Sequence, residues 1–319
     1  MKTSLLPELH ISNNMKKIFF LAVIFSLLFL SGCGKKQLDE NGCFTDAEAA
    51  LKFAQRKNKD LLLFVTMEED DSATLSILKE MTADSSFVVT RLDFSQKTYE
   101  ASVSNEELAN QIQKNTRFAS MLNVSQTPSV YILSKESYVL SYFVYEADSV
   151  SPADFKSLLE EQTASLDNMR ALIQGTKKGK ALDKVRAIDE LYEATVPEYR
   201  VFLAELIESV IKLDKNNESG LLGKYIYAAA DVKAAIAINQ GKVNEAVKSY
   251  VEAAENPQLE AELKQQSYYI AAYLCSMTGS AEKSIIVDYL QKAIEAAPES
   301  KEVASIQKIM EIVASETLE

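Results

Sequence analysis

The chain has 319 residues, with 34 lysines and arginines against 46 aspartates and glutamates and a formal charge of −12. That balance disfavours a nucleic-acid partner, whose phosphates attract basic surfaces; 47% apolar content over this length suffices for one or two packed domains. The single histidine is His10, ahead of the apolar run Ile18 to Leu30. If that run belongs to a removed leader, the mature chain has no Ser-His or Cys-His nucleophile pair, no histidine-ligated zinc and no histidine general base.

At the N-terminus, Met15-Lys16-Lys17 opens a basic start, the apolar run follows, and Ser31 and Gly32 precede Cys33. The run is too short to cross a hydrocarbon core of roughly 30 Å as a helix. Its length, its basic flank and the small residues after it fit a secretory signal. With cysteine next in order, Leu30-Ser31-Gly32-Cys33 resembles the lipobox of bacterial lipoproteins. The resemblance implies cleavage before Cys33, a lipid such as palmitate on its thiol, and a chain held on a bacterial membrane facing the periplasm or the cell exterior. Residues 1–32 are then signal peptide, 33–43 a tether, and the bilayer the first partner. Losing Lys2, Lys16, Lys17 and Glu8 moves the charge from −12 to −14. Cys43 and Cys275 remain, far apart in sequence, and are expected to be unpaired. Cys43 reads either as an accessible thiol or as an inert one in the tether.

Beyond the tether, Thr45 or Asp46 can cap a helix over Ala47 to Lys57. Leu61 to Val65 is an apolar run of buried-strand length. Ala73 to Met81 reads as a helix, Phe87 to Phe94 as a strand and Glu106 to Leu122 as a longer helix. Ser129 to Leu133 and Tyr138 to Tyr145 are strands joined by a turn, and Ser151-Pro152 opens a last helix, with proline where a missing N–H costs nothing. The order α-β-α-β-α-β-β-α predicts a sheet layered with helices over residues 44–165.

That order, with Val124-Ser125-Gln126-Thr127-Pro128-Ser129 ahead of a strand, resembles the thioredoxin superfamily. The resemblance implies a cis peptide between Thr127 and Pro128, facing the loop where redox-active members carry Cys-x-x-Cys. Here that position reads Asp70-Asp71-Ser72-Ala73, within Glu68-Glu69-Asp70-Asp71. Thiol exchange needs a thiolate, and four carboxylates would oppose one. The expectation is a degenerate, redox-inactive site with no catalytic residue, no cofactor and no metal. The acids read as complements to the positive end of the following helix, with Asp71 or Ser72 as cap, or less simply as a cation site or a loop for a basic partner. Pro128 can still shape a groove for an extended peptide.

Gly175, Lys177, Lys178, Gly179 and Lys180 mark a linker, taken over 166–180, and residues 181–319 show helical periodicity throughout. Helices are expected over Leu182–Ala194, Pro197–Leu213, Leu221–Gln240, Val243–Glu255, Leu259–Met277, Ala281–Ala296 and Lys301–Ser315. The loop Asp214 to Gly220 fails as a calcium loop, because Ser219 stands where glycine is needed and Tyr225 where a bidentate glutamate is needed. Gly241, Ala246, Tyr250, Ala253 and Pro257 are echoed by Gly279, Ile286, Leu290, Ala293 and Pro298. The echo resembles tetratricopeptide (TPR) repeats, implying helical hairpins over about 226–257 and 267–300, with Leu182 to Leu213 as a degenerate third unit and cap. Nine tyrosines from Tyr192 to Tyr289 either space stacked helices or line a concave peptide-binding face.

The fold class is thus α/β plus all-α: a thioredoxin-like domain followed by a TPR-like helical array. Two functions follow. One is a lipid-anchored envelope protein that binds or scaffolds a protein partner; the other is an envelope thiol–disulfide handler using Cys43 or Cys275.

Overall fold

The structure, a computed structural model, describes residues 38–67, 72–146 and 150–315. The expected signal peptide, Cys33, Asp70 and Asp71 lie outside them. The chain is an α/β region followed by an all-α region. The first contains α1 (Ala47–Lys57), β1 (Leu61–Thr66), α2 (Ser72–Ala83), β2 (Val88–Asp93), α3 (Gln96–Ser102), α4 (Glu106–Met121), β3 (Ser129–Leu133), β4 (Val139–Val144) and α5 (Pro152–Glu161). The second contains α6 (Thr163–Gly175), α7 (Ala181–Ala194), a 3₁₀ segment (Pro197–Leu203), α8 (Ala204–Leu213), α9 (Leu222–Asn239), α10 (Val243–Ala254), α11 (Ala261–Thr278), α12 (Lys283–Ala296) and α13 (Val303–Ser315).

Local chemistry sets the ends of these elements. Asp46 accepts the Ala49 N–H at 2.7 Å to start α1, and Asn58 ends it with φ 55°, a left-handed conformation that asparagine tolerates. Ser151 and Asp154 form a reciprocal capping box at α5, with Pro152 in the first turn. The short helix α3, capped by Ser95, carries no buried residue and no apolar periodicity, so the sequence pattern contained no sign of it.

The four strands form one sheet in the order β2-β1-β3-β4. β1 pairs with β2 in parallel, which requires the crossover helix α2, and with β3 antiparallel; β3 and β4 are antiparallel neighbours. All six residues of central β1 are buried, as expected for a strand covered on both faces. Leu61, Leu63 and Val65 face a core shared with Ala50 and Ala54 of α1 and with Tyr131 and Leu133 of β3. Leu62 and Phe64 face the other core, with Ile77 and Leu78 of α2 and Phe155 of α5. Phe155 stacks on Phe64 with ring centroids 5.4 Å apart.

Two boundaries differ from the sequence expectation. Residues 166–180 are not a linker: α6 runs to Gly175 and buries Leu166, Met169 and Ile173, leaving only 176–180 as a connecting loop. These side chains continue the Leu62–Phe64 core into Val185, Ile188 and Leu191 of α7 and on to Tyr225 and Ala228 of α9. The helices between Leu182 and Leu213 therefore complete the sheet's core instead of simply capping an array. Nor is the tether free up to residue 43. Leu38 bridges to Phe44, Phe44 pairs beside Thr90 of β2, and Asp39 accepts the N–H groups of Asn41 and Cys43, both at 2.9 Å.

Pro197–Leu213 is also divided, a 3₁₀ segment giving way to α8 at Ala204. In that segment Tyr199 reaches back to the sheet, 6.2 Å from the Tyr131 ring and 5.7 Å from Tyr142. From α9 onward the chain is a succession of helices joined by short turns. Gly241 and Gly279, with φ of 73° and 60°, follow α9 and α11, where a left-handed residue lets the chain reverse into the next helix. The echoed positions Ala246, Tyr250, Ala253 and Ile286, Leu290, Ala293 are all buried in one second core.

Candidate functional site

The carboxyl end of β1 and the amino end of β3, adjacent because the two strands are antiparallel, carry the positions singled out by sequence. The Thr127–Pro128 peptide is cis, and both residues are half-buried ahead of β3. Tyr145, just after β4, donates its N–H to the Pro128 carbonyl at 3.4 Å. Its hydroxyl lies 2.8 Å from Thr74 Oγ1 in the first turn of α2, in a buried contact. The Tyr145 ring stands edge-on to Phe64 and Phe155 at 6.4 and 5.7 Å. One tyrosine thus ties the proline loop to the start of α2. Ser72 opens α2 and is exposed, and Ala73 is half-buried.

Beside this junction Arg91 is nearly buried on β2. Its Nε donates to Thr66 Oγ1 at 3.1 Å, and Nη2 lies 3.8 Å from Asp93 Oδ2. Asp93 in turn accepts the Ser95 N–H at 2.9 Å and the Thr98 hydroxyl at 2.8 Å. The arginine's charge is therefore answered by a carboxylate that is itself hydrogen-bonded, an arrangement that holds β2 to α3. Tyr145, Thr74 and Arg91 were not legible as a group, because their partners lie far along the chain and leave no local spacing to read.

The thiols are elsewhere. Cys43 is fully buried, in the core that also holds Ile77, Leu78 and Met81, and not in an exposed tether. Burial, with Asp39 adding to it, pushes its pKa up to about 12. Cys275 is buried in α11, and burial raises its pKa also. Both are free. The thiolate is the nucleophilic form, and burial disfavours it at both positions.

In the helical region the tyrosines divide by role. Tyr192 of α7 packs on Tyr225 of α9 at 5.5 Å, while Tyr227 on Tyr250 at 6.4 Å and Tyr268 on Tyr289 at 6.5 Å each span successive helices. Tyr250 also donates to Asp231 at 2.9 Å; burial raises the Asp231 pKa to about 6, against the opposing effect of that hydrogen bond. Tyr269 and Tyr273 behave differently. Tyr269 lines a groove of about 600 Å³ with Glu262 and Gln266 of α11 and Ser305, Ile306 and Ile309 of α13. Tyr273 and Met277, 52% and 67% exposed, continue that face of α11, while Ile312 is 49% exposed on α13.

The groove has a constructed polar floor. Gln265, 4% exposed, donates Nε2 to the carbonyls of Ala293 and Ala297, both at 3.1 Å, and accepts from Ser300 Oγ at 2.5 Å. This network satisfies the end of α12 and fixes the chain turn that brings α13 across α11. The loop after α8 is closed similarly: buried Asp214 accepts the Glu218 N–H at 2.7 Å and the Ser219 hydroxyl at 2.5 Å, which uses its oxygens internally. Among the described residues no cluster of three or more histidine, cysteine or acidic side chains is placed to hold a metal ion, and no helix is long and apolar enough to cross a membrane.

Residues 221–318 match a protein family described as an uncharacterised protein C-terminal domain. The match begins where α9 does and covers the second core. An uncharacterised protein of Treponema pallidum (strain Nichols) is 25% identical over 292 residues, covering 90% of this chain and 93% of its own. An alignment of that extent includes both the α/β and the all-α regions. A solved structure described as DsbH Oxidoreductase is matched over 44% of this chain and 98% of its own, with 19% identity and a TM-score of 0.30.

Proposed function

We propose that the chain is a lipid-anchored bacterial envelope protein in which a redox-inactive thioredoxin-like domain supports a TPR-like helical array that binds a protein partner. The observation that carries the binding role is the groove between α11 and α13. It sets the apolar surfaces of Tyr269, Ile306 and Ile309 beside the charged and amide groups of Glu262 and Gln266. Exposed Tyr273, Met277 and Ile312 extend it. Contiguous exposed apolar surface rimmed by polar groups is the usual mark of a docking site, and aromatic anchors carry much of the energy in such sites.

The thioredoxin-like assignment is supported by the strand order β2-β1-β3-β4 and by a cis proline ahead of β3. The redox-inactive assignment is supported by Asp70-Asp71-Ser72-Ala73 in the sequence and by the burial of both remaining thiols. Lipid on Cys33 would add membrane affinity of about 0.8 kcal/mol per buried acyl CH₂.

The test is cross-linking in intact membranes, with captured complexes resolved with and without reductant. A defined partner, recovered equally by the Cys43→Ala, Cys275→Ala chain and lost on Tyr269→Ala with Ile309→Asp, is the expected result. Adducts that disappear on reduction would overturn the redox-inactive assignment.

A further inference from the structure

The sheet has two outer strands, and the chain itself covers the edge of one of them. Along β2, the Phe44 N–H donates to the Val89 carbonyl at 3.0 Å, and the Arg91 N–H donates to the Phe44 carbonyl at 2.8 Å. The edge of β4 is only half sheltered. Beside its middle, just ahead of α6, Gln162 Oε1 accepts the Ser141 hydroxyl at 2.7 Å. From there α6 runs toward the end of the sheet where Arg170 meets Asp60. Val139 and Leu140 are buried on that side, whereas Tyr142 and Val144 are 50% and 42% exposed.

Register decides which backbone groups of β4 point outward. Ser129 stands opposite Val144, Val130 opposite Phe143 and Tyr131 opposite Tyr142. One step further in the same register, the Tyr145 N–H reaches the Pro128 carbonyl. Hydrogen-bonded pairs alternate along an antiparallel ladder, so Phe143 is bonded to β3, while Tyr142 and Val144 turn their N–H and C=O groups away from it. Among the described residues, nothing outside the sheet accepts either of these N–H groups. Sheet edges are commonly guarded by lysine, proline or an inward charge, and Val139–Val144 contains none of them.

We propose that this edge pairs with the same edge of a second copy, joining the two sheets into one about a two-fold axis at Phe143. Antiparallel pairing there sets Tyr142 against the partner's Val144 and Val144 against the partner's Tyr142. Both residues turn their backbone groups outward, so every outward N–H meets a carbonyl and none is left over. The opposed side chains form two aromatic–β-branched pairs on one face, a combination that stabilises neighbouring strands. On the other face Phe143 meets the partner's Phe143. A two-fold axis brings each strand against its own copy, where like charges would repel, and β4 carries no charge. Tyr142 is already held, stacked on Tyr131 at 5.8 Å with Tyr199 edge-on at 5.7 Å, so pairing costs it little freedom. An extended segment of another protein would reproduce the hydrogen bonds, but the match of each exposed side chain to the other is particular to a second copy.

The test is sedimentation equilibrium of the full chain over a concentration series, with hydrogen exchange read residue by residue on the same samples. The expected result is a monomer–dimer equilibrium. Exchange at the Tyr142 and Val144 amides should slow about tenfold when roughly nine-tenths of the chain is paired, because only the unpaired fraction exchanges. The Phe143 amide, already bonded within the sheet, should change little. Val144→Pro removes an outward N–H that the sheet does not use and should abolish the dimer. Val144→Lys adds an edge charge at an exposed position and should weaken the dimer about tenfold. Val103→Lys, at an apolar residue 89% exposed between α3 and α4, should leave it unchanged. Near-ultraviolet circular dichroism of the tyrosines shows that each variant is folded. A chain monomeric throughout overturns the proposal, as does a dimer that survives both Val144 variants. A monomer that cross-links through position 144 to a different protein gives the edge to that protein and overturns self-pairing as well.

Discussion

Asp60 and Arg170 lie 110 residues apart and meet through two hydrogen bonds to a single carboxylate oxygen, at 2.9 and 2.7 Å. Asp60 also accepts the backbone N–H of Lys135 at 3.3 Å. One carboxylate thus joins the entry to β1, the turn after β3 and a helix of the all-α region. Asp60 is mostly buried but Arg170 is 40% exposed, so solvent screens much of the attraction. Asp60→Asn is expected to cost about 1 kcal/mol, measured by urea denaturation, with Asp167→Asn as the milder control.

The continuous core makes the stretch expected to be a linker a structural element. Ile173→Ala, at a position 1% exposed, should cost about 2–5 kcal/mol. Neighbouring exposed Gln174→Ala should change stability by less than about 0.5 kcal/mol. Urea unfolding followed by tyrosine fluorescence distinguishes the two; equal, small effects would mean that α6 does not carry the core.

Cys43 should resist alkylation in the native chain at neutral pH and react at once when the chain is unfolded, as followed by mass. The same burial has a pH consequence. The folded thiol is raised to about 12 from an ordinary 9.0, so its contribution to stability is complete below pH 9. Between pH 9 and 12 the unfolded state loses the proton first and that contribution is lost. Cys43→Ala should flatten this part of the stability curve relative to the parent.

Asp231 behaves alike at acid pH. Its carboxyl is raised from 3.8 to about 6, chiefly by burial. The neutral form therefore suits the folded chain, and its contribution is lost as pH rises from about 4 through 6. Asp231→Asn keeps an acceptor for the Tyr250 hydroxyl and should raise stability at pH 7, on the order of 1–2 kcal/mol. The gain should vanish below pH 4, as thermal melts at the two pH values would show.

Gln265→Ala would leave the Ala293 and Ala297 carbonyls without their donor beneath the α11–α13 groove. The expected loss is about 1–3 kcal/mol, with hydrogen exchange of α13 rising more than that of α9. Uniform exchange would place the loss outside the groove.

What could be read from the sequence was whatever repeats at short range. Ala47–Lys57 and Ser129–Leu133 match the expected bounds to the residue, because caps, alternation and apolar runs act between neighbours. The helices on either side of Gly241 and Gly279 were legible for the same reason. Only the tertiary structure decided which faces those elements share. It buried Cys43, turned α6 from linker into core, brought Tyr145 to Thr74 and Arg170 to Asp60, and opened a groove at Tyr269 while closing the other tyrosine pairs. These contacts join residues tens to more than a hundred positions apart, and side-chain burial at such distances is set by how whole helices and strands pack, which no local periodicity encodes.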